Sequence, residues 1–387
     1  MLSRHLGKKL LAYETPFYLY DTALLRQTLE SVVYESQRYN YKVHYAIKAN
    51  YDDHLLAIIR EYGIGIDCAS GNELRKAIEA GFDPKGIVYA GVGKRDKELR
   101  YAIEQDILAI NCESIEELEV LNALAGEAGR RVDVALRINP DIDPKTNHCI
   151  DTGQADSKFG ISYEEVLEHA DSIKSLSNLN IIGLHLHIGS QIRELHVFEN
   201  MCNKVNVIVS NLDKLGFSIN FVDVGGGLGI NYDMPENEPI PNFASLFAIV
   251  HNHLDVGGRE VHFEFGRSII GECGELITNV LFNKTTATGR RLAIVDASMT
   301  ELIRPALYGS YHNIENITSD EEAMSKYTIV GTACESTDVF DENVSLRKTR
   351  RGDLLTIKSA GAYGMSMASR YNLHDIPSAV YSDEISK

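Results

Sequence analysis

The sequence predicts an α/β fold: a (β/α)8 TIM-type barrel followed by a C-terminal mostly-β domain that the N-terminal strand joins. Three observations predict it. Short apolar, β-rich runs alternate with helical patterns eight times over about 225 residues, the length and count of one such barrel. Polar residues recur at the C-terminal ends of those runs, where a barrel gathers its chemistry at one mouth. After Gly266 the texture changes to short β-type segments separated by turn residues. An open doubly wound sheet is the structural rival.

In chain order, Tyr13–Tyr20 reads as a strand ahead of the barrel that pairs with the β domain. The barrel strands are then expected at 43–48, 65–69, 86–91, 107–112, 132–138, 181–188, 221–224 and 260–264, with helices over Asp53–Tyr62, Asn72–Ala80 and Ser114–Ala128 among those between them. Repeated βα units imply parallel strands with right-handed crossovers. Asp233–Asn242, rich in Pro, Asn and Glu, reads as a loop inside the last βα unit. The β domain is expected to include segments near Leu276–Leu281, Arg291–Asp296, Thr328–Gly331 and Asp353–Lys358. The domain reading is therefore an N-terminal segment over 1–27, a barrel over 28–266 and a β domain over 267–387.

Charge excludes several function classes. With 38 Lys+Arg against 55 Asp+Glu, the formal net charge of the 387 residues is −17. An acidic surface with no basic run repels phosphate backbones and anionic lipid, so neither nucleic acid nor membrane is expected as a partner. No apolar stretch is long enough to span a bilayer and the start lacks the apolar core of a signal peptide, so a cytoplasmic protein is expected. The six cysteines (Cys68, Cys112, Cys149, Cys202, Cys273, Cys334) show neither a CxxC pair nor metal-ligand spacing, which suits a reduced compartment.

Several polar positions carry chemistry. Lys48 ends the nearly uncharged strand of Tyr45-Ala-Ile-Lys-Ala-Asn50; a lysine at a barrel mouth either pairs with an anion, serves as an amine nucleophile, or snorkels outward. Gly225-Gly-Gly-Leu-Gly229 suits close approach of backbone N–H groups to a phosphate, aided by a helix N-terminus expected after it, with a tight structural turn as the alternative. A dinucleotide fingerprint fails because position 230 is Ile. His185 and His187 fall on one face of a strand; they suit a metal, a satisfied core pair, or, with Gly189-Ser-Gln191 beyond them, an anion or ring contact. Glu264 ends the eighth strand three residues before Arg267, so it either pairs with that arginine or faces a protonated heterocycle. Beside Glu335 a thiolate is disfavoured, which points Cys334 toward proton donation or a merely structural place. Arg304 suits bidentate carboxylate recognition, and Tyr308 and Tyr363 supply phenols in the same domain; taken singly, each equally suits a surface pair or a packed tyrosine.

Taken together, the segments Tyr45–Asn50, Asp67–Gly71, Asn139-Pro140, Thr152-Gly153 with Ser157–Ile161, Gly183–Ile192, Gly225–Ile230, Glu264–Arg267, Arg304–Tyr308, Cys334–Asp338 and Gly361–Ser369 resemble the alanine-racemase-type (fold-type III) pyridoxal-phosphate decarboxylases. They are most similar to the branch acting on diaminopimelate. The resemblance implies pyridoxal 5'-phosphate held by a Schiff base to Lys48, with His187 stacked on its ring and Glu264 on its ring nitrogen. Asp67, Ser190, Gly225, Gly226, Gly227, Phe265, Gly266, Arg267 and Tyr363 complete the implied cofactor set. Arg267, Arg304, Tyr308, Glu335 and Tyr363 would contact the substrate, an amino acid at both ends. Cys334 would return a proton to Cα from the partner subunit of a homodimer with shared sites. No metal is implied. Sister decarboxylases for ornithine, lysine or a carboxylated polyamine are the nearest rivals. One departure stands out: the arginine-bearing tail usual after the Tyr-Asn pair reads Tyr371-Asn-Leu-His-Asp-Ile-Pro377 here.

Overall fold

The computed structural model describes residues 2–142 and 157–385. Cys149 and the Thr152-Gly153 pair lie outside the described residues. No helix among them is long and apolar enough to cross a membrane.

Two compact units form. The first gathers 1–28, 230–241 and 267–387; the second gathers 29–229 and 242–266. Strand β1 (Phe17–Tyr20) belongs to the first. The barrel of the second is built from β2 (Lys42–Ala46), β3 (Gly65–Cys68), β4 (Ile87–Tyr89), β5 (Ala109–Cys112), β6 (Val132–Asn139), β8 (Leu179–His185), β9 (Phe221–Asp223) and β10 (Glu260–Phe265), with the two-residue β7 (Ile161–Ser162) lying beside β6. Their order is β5-β4-β3-β2-β10-β9-β8-β6, and pairing of β5 with β6 closes the ring, every pair parallel. All eight expected barrel strands are present, and closure removes the open-sheet alternative. Side-chain caps start several of the intervening helices: Asp52 accepts from Leu55 N–H, Ser70 from Glu73 N–H and Ser114 from Glu117 N–H.

The barrel interior is packed with rings set against small residues. Phe221 stacks on His262 at 4.6 Å and packs on Ala109 and Ala135. A Cβ on Gly183 would lie 2.3 Å from the Phe221 ring, and one on Gly65 would lie 2.3 Å from His44 Nδ1. Outside the ring of strands, Phe243, Phe247, Phe263 and Phe265 form one aromatic cluster, with centroids 4.8 to 6.3 Å apart. Each such buried ring contributes about 1.5–3 kcal/mol.

In the other unit, β11 (Gly274–Thr285), β12 (Arg291–Val295), β13 (Ile314–Asn316), β14 (Met324–Val330), β15 (Val339–Arg347) and β16 (Leu354–Ile357) are ordered β13-β16-β11-β12-β14-β15. Strand β1 pairs antiparallel with β11 and parallel with β17 (Ser378–Tyr381), as the N-terminal reading expects. Leu10, Phe17, Leu19, Ile277 and Leu354 form its core. One boundary differs from the sequence reading: Ile230–Pro241, assigned there to the barrel, groups with the β unit. The cause is long-range bonding: Asn313 Nδ2 donates to Asp233 O at 3.2 Å, and the fully buried Lys358 pairs with Glu236 as well as Glu315.

Candidate active site

In the barrel unit, Lys48 lies in the tight turn Ile47–Ala49 directly after β2. Tyr45 OH donates to Asn50 O at 2.8 Å and pins that turn. The Lys48 ammonium reaches Asp67 Oδ2 at 2.8 Å; the lysine side chain is 41% exposed while Asp67, in β3, is fully buried. On the other side of β2, Glu264 projects from β10, and its Oε2 meets His185 Nε2 at 3.1 Å. Glu264 Oε1 and Asp67 Oδ1 are buried without a hydrogen-bond partner among the described residues.

Three buried acids share this interior, and they do not share charge equally. Burial pushes Glu264 upward, but His185 and then the Lys48 ammonium outweigh it, holding the carboxyl well below its usual range. Burial and then the negative charge of Glu264 push Asp67 and Asp223 up. One acid held low beside two pushed upward is the pattern that separates roles at a site. Burial, together with the Lys48 and Arg137 cations, pulls His187 down to about 3, so its ring is neutral.

The glycine run follows β9. Gly225 and Gly227 have φ of +68° and +98°, and a Cβ on Gly226 would lie 1.9 Å from Glu264 O, so no larger residue fits this loop as folded. Gly226 N–H donates to His187 Nδ1 at 3.2 Å, Asp223 Oδ1 accepts from Gly225 N–H at 2.8 Å, and Gly227 O accepts from Ile192 N–H at 2.8 Å. The loop is thus stitched to the Gly189–Ile192 segment that carries Ser190. No helix starts directly after the glycines, contrary to the expected dipole; the cradle consists of backbone alone. The Phe265 side chain lies in the aromatic cluster, which leaves only its backbone, with that of Gly266, for a ligand.

The histidine pair also differs from its reading. Strand β8 ends at His185, and His187 lies beyond it on the loop. Donor atoms of His185, Asp223 and Glu264 fall within 4.8 Å of one another, as do those of His44, Asp223 and His262. Either trio could gather a cation, but the existing bonds already use these donors: His185 serves Glu264, and His44 Nε2 meets His262 Nδ1 at 3.0 Å.

The β unit holds two further groups. Arg267 donates to Tyr232 OH at 2.6 Å and lies over the Tyr363 ring at 4.9 Å; Arg304 lies over the Tyr232 ring at 4.9 Å. Arg304 also donates to His312 Nε2 at 2.7 Å, and His312 Nδ1 in turn donates to Lys358 O at 2.8 Å, which fixes the tautomer. Burial and then the Arg304 cation pull His312 down to about 3, so it accepts as a neutral ring. Tyr308 acts electrostatically on Arg267 and is half-buried. Two guanidinium groups sharing one phenol suit a carboxylate. Cys334 and Glu335 lie exposed on the loop between β14 and β15; Cys334 N–H donates to Asn372 Oδ1 at 2.9 Å and Tyr371 OH to Glu335 Oε1 at 2.5 Å.

Sequence reasoning did not select Asp223, His185 as the partner of Glu264, Tyr232, or the pair of Arg137 with Glu113, buried at 2.7 Å. Only Asp223 had a local signal: an Asp two residues before a glycine commonly accepts that residue's N–H.

The barrel unit fits a phosphorylated, lysine-bound heterocycle: a lysine at a strand end, a backbone cradle, a neutral ring beside it, and a buried ionised carboxylate with one oxygen to spare. Residues 25–271 match the model of the pyridoxal-dependent decarboxylases, pyridoxal binding domain. The chain is 47% identical to diaminopimelate decarboxylase of Bacteroides thetaiotaomicron over 96% of each chain. It is 40% identical to that of Aquifex aeolicus, over 93% of this chain and 85% of the relative. The crystal structure of diaminopimelate decarboxylase from Helicobacter pylori complexed with L-lysine superimposes with a TM-score of 0.89 at 37% identity, covering 94% of this chain and 91% of that one.

Proposed function

The chain belongs to the pyridoxal-dependent decarboxylases, in the diaminopimelate branch, and from that premise we propose that it converts meso-2,6-diaminopimelate to L-lysine and carbon dioxide through the residues described above. The observation that carries the reading is Glu264, an ionised carboxylate with a spare buried oxygen, on the strand paired with the one that delivers Lys48.

Pyridoxal phosphate, when bound, supplies a sink for the two electrons left at Cα by departing carbon dioxide. The protein supplies the rest. Lys48 is the covalent anchor, and Asp67 holds its ammonium until the cofactor arrives. The backbone of Gly225–Gly227 and Ser190 hold the phosphate. Glu264 keeps a proton on the ring nitrogen; a basic partner there would weaken the sink. His187, being neutral, would lie against that protonated ring without repelling it. Arg267 and Arg304 recognise a distal carboxylate and Glu335 a distal ammonium, with Tyr308 and Tyr363 beside them. Cys334 returns the proton to Cα from the partner subunit of a homodimer. Precursors of simple diamines lack the distal carboxylate, which separates this reading from an ornithine or lysine decarboxylase.

Purified protein with added cofactor should show the absorbance of the lysine-bound form and lose it in Lys48→Ala. Carbon dioxide release should be faster from meso-diaminopimelate than from ornithine or lysine; the reverse order overturns the substrate assignment. Mixing Lys48→Ala with Cys334→Ala subunits should restore part of the activity, and no recovery counts against shared sites.

A further inference from the structure

We propose that the segment Tyr371–His374 is a clamp on the Cys334–Glu335 loop, in which Asn372 positions the thiol for proton delivery and Tyr371 positions the carboxylate for the substrate's distal ammonium. The proposal deepens the function above and rests on the roles given there to Cys334 and Glu335.

The loop has a firm stem and an exposed apex. Asp338 closes the stem: its Oδ2 accepts from Ala333 N–H and its Oδ1 from Met299 N–H, both at 2.7 Å, while its backbone carbonyl accepts from Gly331 N–H at 3.1 Å. A Cβ on Gly331 would lie 2.4 Å from Asp338 Oδ2, so the stem admits only glycine there. Residues 334–337, beyond it, are exposed. Two side chains of the tail grip this apex from outside: Asn372 Oδ1 on Cys334 N–H at 2.9 Å, and Tyr371 OH on Glu335 Oε1 at 2.5 Å.

The tail is itself held. His374 Nδ1 lies 3.1 Å from Thr300 Oγ1 and 3.5 Å from Glu301 Oε1, and Ser369 N–H donates to Thr300 O at 2.9 Å. Met299, one residue away, is the stem's partner through Asp338, so clamp and stem share one support. Asn372 and Leu373 both adopt left-handed backbone, φ 53° and 61°, a conformation that persists where surrounding bonds over-determine it. The tail is thus tied down through His374 and the Ser369 backbone.

Each bond has a distinct consequence. With its backbone N–H fixed, Cys334 aims its thiol through one side-chain rotation. With Oε1 tied to a phenol, Glu335 presents its second oxygen in a fixed direction, and ordering the group in advance lowers the cost of binding. The neighbouring carboxylate raises Tyr371, keeping it the donor.

The test compares Tyr371→Phe, Asn372→Gly and Asn372→Asp in the full holoenzyme with meso-diaminopimelate, beside Glu335→Gln and Cys334→Ala. Glycine keeps the left-handed backbone while removing the acceptor; aspartate restores it. Tyr371→Phe should raise KM about tenfold with kcat within about twofold, the size of losing one hydrogen bond to a charged group. Asn372→Gly should lower kcat about tenfold with little change in KM, and Asn372→Asp should recover most of it. Peptide-resolved alkylation of Cys334 in cofactor-free protein should change in Asn372→Gly and not in Tyr371→Phe. If Glu335→Gln and Cys334→Ala impair catalysis while Tyr371→Phe and Asn372→Gly behave as wild type, the clamp alone is overturned. If Glu335→Gln and Cys334→Ala are themselves silent, the roles beneath it fall and the clamp with them. Should Asn372→Gly not fold, the KM shift of Tyr371→Phe still decides.

Discussion

Replacing Gly226 by alanine should damage cofactor binding more than its one added methyl suggests. The new Cβ would lie 1.9 Å from Glu264 O, and ordinary van der Waals contact begins near 3.4 Å, so the loop or the end of β10 must yield by roughly 1.5 Å. Neither side yields cheaply. Glu264 N–H is bonded to Gly225 O at 3.0 Å, and Gly226 N–H to His187 Nδ1 at 3.2 Å, so relief displaces the carboxylate, the histidine or the cradle itself. Overpacking of this kind costs about 1–3 kcal/mol. If the strain falls on the geometry that binds the cofactor, affinity drops by about 5- to 160-fold. Cofactor titration followed by absorbance measures that, with thermal unfolding of apo and holo protein beside it. Gly93→Ala is the control, because nothing lies within 4 Å of its added Cβ and its φ is not positive; it should stay within about 0.5 kcal/mol of wild type. Wild-type cofactor affinity in Gly226→Ala would refute the steric argument.

Other outcomes follow from buried charge. Glu113→Ala removes the acceptor of the buried Arg137 guanidinium and of Gly91 N–H, each at 2.7 Å. It should cost about 3–5 kcal/mol in urea unfolding, and a loss below about 1 kcal/mol would contradict the ion-pair assignment. Burial pushes Glu272 up to about 7, although Ser359 Oγ donates to it at 2.7 Å. Because the native state holds this proton where the unfolded chain does not, wild-type stability should fall as pH rises from about 4.5 to 7. Glu272→Gln, which cannot ionise, should gain on wild type by about 2–3 kcal/mol over that window, measured by denaturation at several pH values. A difference independent of pH would remove Glu272 as its source.

The eight barrel strands, their order and the change to a β unit were legible because alternating apolar runs, turn residues and helix caps are short-range signals. Position also told much about the site. A lysine just past one strand, a glycine run past another and a carboxylate ending a third are chain-local facts, and closure of the ring brings strand ends together whatever lies between them. What stayed illegible was pairing. Glu264 stands three residues from Arg267, yet its bonded neighbour is His185, 79 residues away, because barrel closure orients β8 and β10 toward one interior. The glycine loop was recognisable, but its stitching to Gly189–Ile192 in place of a helix dipole was not.

The sequence by itself therefore determined which elements form, in what order, and which residues carry reactive groups, since period and turn chemistry act within a few residues. Only the tertiary structure decided which of three neighbouring acids is held low and which are pushed upward, that Tyr232 joins the two arginines, that 230–241 groups with the β unit, and that the atypical tail grips the Cys334–Glu335 loop. Those outcomes depend on burial and on hydrogen bonds between residues tens of positions apart, which exist only after the chain has closed on itself.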